Sequence, residues 1–193
     1  MKTFWQHGYD TTSIAALTDA MGINASSLYA AFGGKRTLFS AALQRYLAGP
    51  ASFTLTAMDG AGSAQHAVRQ LLYSAAAAYT QAGYPRGCLV ISGATNCTPH
   101  SVDVQAELRA IRAQGLQALA QRIRAAVSAH EVPADTDPHT LATFYAGTLH
   151  AMSGLARDGA TRADLEAVAD LALTAWPAAT RPSANRARQR RST

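Results

Sequence analysis

The segment from Asp10 to Gly34, DTTSIAALTDAMGINASSLYAAFGG, decides the fold. Thr11, Thr12 and Ser13 offer hydroxyls that accept from the free N–H groups of a helix start, and Ile14, Ala15, Leu17, Thr18 and Met21 follow with an apolar face at helical spacing. Gly22 stops that helix. Asn24 is placed to cap a second one, Ala25 to Phe32, with Leu28 and Phe32 facing inward, Ile23 filling the corner and Gly33-Gly34 ending it. Helix, glycine turn and helix within residues 12–32 match the helix-turn-helix, whose second helix lies in the major groove of DNA while the first crosses the backbone. The outward face of the second helix is Ala25, Ser26, Tyr29 and Ala30, with Ser27 on the flank. These are small or hydroxyl-bearing groups that approach bases and phosphates closely. Two short helices joined at a glycine also arise as ordinary packing, so the pair alone leaves both readings open.

The rest of the chain agrees with an all-α protein. Its 193 residues hold 43 Ala against 7 Val and 5 Ile, and Ala loses no side-chain entropy in a helix whereas β-branched residues do. A hydrophobic fraction of 48% with 15% charged residues excludes a disordered chain and a coiled-coil rod. No run approaches the ~18 apolar residues of a membrane span, no signal peptide opens the chain, and Cys88 and Cys97 are too few for a disulfide framework. A cytoplasmic protein is expected. The net charge of +5 is uneven: +2 over residues 1–48, −2 over 49–177 and +5 over 178–193. Only the two ends are suited to nucleic acid.

Three regions follow: a DNA-binding head over 1–48, a helical body over 49–177 and a basic, disordered tail over 178–193. The head's third helix runs from Lys35 to about Ala48, with Leu38, Phe39, Ala42, Leu43, Tyr46 and Leu47 inward. In the body, a connection to Gly62 precedes a long helix marked by Val68, Leu71, Leu72, Ala75 and Tyr79. Cys88 to Cys97 fits either a buried helix or a strand. Further helices are expected from Ser101 to about His130, from Pro138 to about Arg157, and from a Thr161 cap to Pro177.

From Gly8 to Tyr46 the chain resembles the DNA-binding head of the TetR family of transcriptional regulators. The matching residues are Gly8-Tyr9-Asp10, Thr12-Ser13-Ile14, Met21-Gly22-Ile23, Ser27-Leu28-Tyr29, Phe32, and Lys35 with Leu38-Phe39. Weaker likeness continues through Arg86-Gly87-Cys88-Leu89 and Arg157-Asp158-Gly159-Ala160. The resemblance implies a homodimer with a three-helix head and a larger helical bundle body that holds a small-molecule effector. It also implies that Thr12, Tyr29 and Lys35 contact phosphates, with Lys35 aided by a helix dipole, while Ala25 and Ser26 face base edges. Ala30-Ala31 is smaller than the family's usual residues there, so base readout is expected to be sparse and to lean on shape. The first helix is short: only Phe4 and Trp5 remain of its apolar face, burying about 3–5 kcal/mol at most. A mobile head with reduced DNA affinity, and a start codon further upstream, are the corresponding expectations.

The leading function is therefore a repressor released from a palindromic operator by a small, mostly apolar molecule, with no cofactor. Its rival is a helical small-molecule-binding protein with impaired DNA binding. An enzyme finds no support, since no Ser, Cys or His has the context of a nucleophile. Cys88, Cys97 and His100 match no common zinc spacing, and His139 and His150 share a helix face without a third ligand. Tyr73, Tyr79, Cys88, Tyr145, Leu149 and Met152 are expected to bound the effector pocket, because their helices supply large apolar groups and few charges. The dimer is expected to use Phe144, Gly147, Ala151 and Gly154 on one helix and Leu165, Val168 and Trp176 on the last, giving a four-helix interface.

Overall fold

The computed structural model describes residues 1–60, 62–93 and 97–178. Among the described residues ten α-helices run in order: α1 (Lys2–His7), α2 (Ile14–Met21), α3 (Ala25–Phe32), α4 (Lys35–Ala48), α5 (Phe53–Asp59), α6 (Ala64–Tyr79), α7 (Leu89–Ser92), α8 (Val102–Ser128), α9 (Pro138–Arg157) and α10 (Arg162–Leu173). A 3-10 turn, Pro99–Ser101, leads into α8. Among the described residues there is no strand, and the segment that begins at Cys88 starts as the four-residue helix α7. No described helix is long and apolar enough to cross a membrane. The basic tail, apart from Ala178, lies outside the described residues.

Local chemistry sets the helix boundaries. The Ser13 side chain accepts from Ala16 N–H, Asn24 from Ser27 N–H, and Ser63 from His66 N–H. Thr161 and Asp164 form a reciprocal capping box at α10. Gly22 and Gly33 end α2 and α3 in the left-handed conformation, which glycine adopts without a Cβ penalty. In the body α6, α8, α9 and α10 pack on one another, with α5 laid against α6 and α8.

Head and body share one core. Phe4 and Trp5 of α1 are fully buried. Phe4 meets Phe39 edge-on at 5.1 Å, while Trp5 meets Tyr46 at 4.7 Å and reaches into the body to Tyr84 at 5.7 Å. The helix is as short as expected, but its aromatics are anchored by partners that lie outside the α2–α3 pair, one of them in the body. Helix α7 lies between the two parts, touching α1 and α4 on one side and α8 and α9 on the other. Met21, expected on the inner face of α2, is instead 41% exposed. At the far end α10 stops at Leu173, and Trp176 folds back from the following turn to lie 6.0 Å from Tyr145.

Among the described residues the buried Trp5 Nε1 has no hydrogen-bond partner. Trp5→Phe gives up ring area but also removes this unsatisfied donor, so chemical denaturation should show a change within about 1 kcal/mol. Trp5→Ala should cost ~3–5 kcal/mol by the same measurement.

Candidate nucleic-acid interface

Helix α3 buries only Leu28 fully, with Phe32 half-buried beside it. Ala25, Ser26, Ser27, Tyr29, Ala30 and Ala31 are exposed, so the expected outward residues stand together on one open surface, with Tyr29 half-exposed at 51%. Thr12 is placed otherwise. Its side chain is buried, and its hydroxyl donates to the Gly8 carbonyl at 2.6 Å, closing the loop ahead of α2. A hydroxyl so occupied does not face a phosphate, and Thr12 is corrected from a contact residue to a brace of that loop.

Lys35 opens α4, as expected, but its ammonium is turned back toward the same loop. Nζ donates to the Asp10 carbonyl at 3.3 Å and lies 4.5 Å from the centre of the Tyr9 ring. Burial lowers its pKa against the opposing pull of the Asp10 charge. Arg36, the next residue, pairs with Asp103 and Glu107 in the first turns of α8, the latter at 2.8 Å, and Ser40 also donates to Glu107 at 3.1 Å. The Asp10 carboxylate accepts from Thr98 N–H and the Ser101 hydroxyl, across from the head to the 3-10 turn. These polar contacts fasten the reading helices to the start of α8. They were not visible in the sequence, because Asp10 and Ser101, or Arg36 and Glu107, are far apart in the chain and carry no local signal.

A third junction is buried. The Tyr46 hydroxyl of α4 donates to Cys88 Sγ at 3.2 Å, and Cys88 N–H donates to Ser153 Oγ of α9 at 2.9 Å. Burial pushes the Cys88 thiol up, so it is protonated at neutral pH. Gly87 makes this approach possible: it adopts φ +82°, and a Cβ there would come within 2.8 Å of the Ser153 carbonyl oxygen.

The six residues expected around an effector are not brought together. Tyr73 lies at the α6–α10 surface, where its hydroxyl donates to Asp170. Tyr79 and Cys88 belong to the buried head–body junction, Tyr145 donates to the Ala172 carbonyl at 3.3 Å, Met152 is core, and Leu149 is half-buried. None of the six lines the two adjoining clefts between α5 and α6, of about 750 and 380 Å³, which share Ser52, Phe53 and Ser74. The dimer residues divide. Phe144, Gly147, Ala151 and Gly154 form an exposed stripe on α9 that Leu155 extends. Leu165 and Trp176 are buried within the subunit and Val168 is half-buried, because α10 turns that side onto its own core; its exposed apolar residue is Leu171, at 73%.

A recognition helix held by capped turns, on a head wired to a helical body, is the arrangement of a helix-turn-helix DNA-binding regulator. Residues 1–42 match the family model described as bacterial regulatory proteins, tetR family, and residues 64–171 match the tetracyclin repressor-like C-terminal domain. The chain belongs to the TetR family of transcriptional regulators. The repressor ComR of Escherichia coli K12 is 34% identical over 178 residues, covering 92% of this chain and 85% of ComR. The repressor BdcR of the same organism is 37% identical over 101 residues, covering 52% and 51%. Among solved structures, a cysteine-substituted TetR family regulator CifR, complexed with 26 bp double-strand operator DNA, shares 42% identity, with coverage of 91% and 92% and a TM-score of 0.87.

Two carboxyls where the head meets the body are held below the usual aspartate range. Burial pushes Asp10 up, but hydrogen bonds from Ser101 and Thr98 outweigh it; Asp103 is held down by Arg36. Depressed carboxyls stabilise fully above their ordinary range and lose that contribution as pH falls through their folded values. Acid titration followed by tryptophan fluorescence should therefore show the head separating from the body below about pH 4. In Ser101→Ala, which removes one donor to Asp10, the separation should move to higher pH.

Proposed function

We propose that the chain is a dimeric repressor whose two heads hold a near-palindromic operator and whose body, on binding a small and mostly apolar effector, draws the heads away from it. The observation that carries this reading is the junction just described: α4 and the loop before α2 are tied by Tyr46–Cys88, Asp10–Ser101 and Arg36–Glu107 to α7 and α8 of the body. A displacement in the body therefore has a physical route to the reading helices. An effector works such a device only by binding its two states with different affinity. The names of ComR and BdcR as repressors, and the operator complex of CifR, support the same reading.

The effector site is the pair of clefts between α5 and α6. Phe53, Ala57, Ala77 and Ala78 give it apolar walls, while Ser74, Gln81 and, at the end near α10, Arg86 and Arg162 supply polar groups. Helix α5, like α7 and α8, has no side-chain cap at its N-terminus. N-phenyl-1-naphthylamine, a neutral apolar fluorophore, should bind the purified protein, and Ser74→Phe, which fills both clefts, should abolish the signal. Binding unchanged in Ser74→Phe would place the site elsewhere.

The dimer forms through α9 and α10. On one subunit a Cβ added at Gly147 or Gly154 meets nothing within 4 Å, so these glycines are not required by the subunit's own packing. Gly147→Leu should leave a single subunit as stable or stabilise it by about 1 kcal/mol through helix propensity. On a face where two helices approach closely it should break the dimer. Light scattering should show monomer, and operator affinity should fall at least tenfold; a Gly147→Leu dimer with full affinity would refute this interface.

A further inference from the structure

The reading pair α2–α3 contains no lysine or arginine, and its only charged residue is Asp19. The head's cations lie off the reading face. Arg36 is paired with α8, Lys35 with the Asp10 carbonyl and the Tyr9 ring, Lys2 lies 5.0 Å from the centre of the Tyr84 ring, and Arg45 lines a cleft beside α1. Guanine is read in the major groove by bidentate Arg or Lys, and adenine by bidentate Asn or Gln. The one carboxamide near the face, Asn24, has its oxygen engaged by Ser27 N–H at 2.8 Å.

What α3 does present is methyl and hydroxyl groups. Residues four apart lie above one another on a helix, so Ala25 and Tyr29 form one exposed row and Ser26 and Ala30 the next. Eight residues of helix, roughly 12 Å, span three to four base steps. The base-edge group that matches an alanine methyl is the C5-methyl of thymine. We infer that this protein reads its operator half-site through thymine methyls beneath Ala25 and Ala30, with Ser26 and Ser27 adding single hydrogen bonds, and without a bidentate contact to guanine. The inference rests on α3 being the DNA-reading helix and adds the class of base it selects.

The test starts from duplexes selected by the purified protein from a random library. In the enriched half-site, each thymine is replaced by deoxyuridine, which lacks only the methyl, and each guanine by 7-deazaguanine, which lacks the N7 acceptor. Deoxyuridine should weaken binding about fourfold per contacted thymine, the worth of one buried methyl, and 7-deazaguanine should cost no more than one single hydrogen bond from Ser26 or Ser27. Ala30→Arg, at an exposed position, should keep the melting temperature and shift selection toward guanine at one position per half-site. Full affinity on uridine-containing sites, or loss confined to 7-deazaguanine, would overturn the inference alone. A library that yields no enriched sequence would overturn the DNA-reading role of α3 together with it.

Discussion

The close approach of Gly87 to Ser153 is the constraint on which the arrangement of head and body depends. Because residue 87 has no side chain, the backbone lies against α9 and Cys88 N–H reaches Ser153 Oγ. That bond fixes the Cys88 sulfur where the Tyr46 hydroxyl of α4 meets it. A four-residue helix, too short to be stable alone, is thereby held by the body on one face and holds the head with the other. The aromatic contacts from Trp5 to Tyr46 and Tyr84 close around the same point.

This arrangement also sets the place of the six-residue α1. A helix of that length makes few backbone bonds of its own, and its place is set by two rings buried in a core built from both regions. The polar contacts of Asp10 and Arg36 then fix orientation, since charged hydrogen bonds constrain geometry more closely than apolar contact does. Apolar burial supplies cohesion at the junction, and the ionic contacts set its angle.

Features written in neighbouring residues were legible in the sequence. The Ser13, Asn24 and Thr161 caps, the Pro138 start and the Gly22 and Gly33 stops stand where their side-chain chemistry places them. The exposed row of α3 was legible for the same reason, because Leu28 and Phe32 determine which side turns inward. Partners distant in the chain were not. Even a near partner was hidden where a loop has no periodic pattern: Thr12 reads as a surface hydroxyl, yet it donates to the Gly8 carbonyl four residues earlier. Leu165 and Trp176 read as an outer face because a periodic pattern shows that a face is apolar without showing what covers it; α9 and the core of the same subunit do. Tyr73, Tyr145 and Met152 share a composition suited to a pocket, but one is bound at the surface and two are packed shut.

The engagement of the head's cations has a kinetic side. Attraction to bulk DNA comes from phosphates neutralised by lysine and arginine, and it governs how long a regulator lingers and slides on sequences that are not its target. A reading pair with a net charge of −1, flanked by an Arg36 whose charge is balanced within the subunit, draws little on that attraction. On that surface the hold on a matching site is set by fit. Over the surface that α2 and α3 present, added salt therefore has little charge to screen.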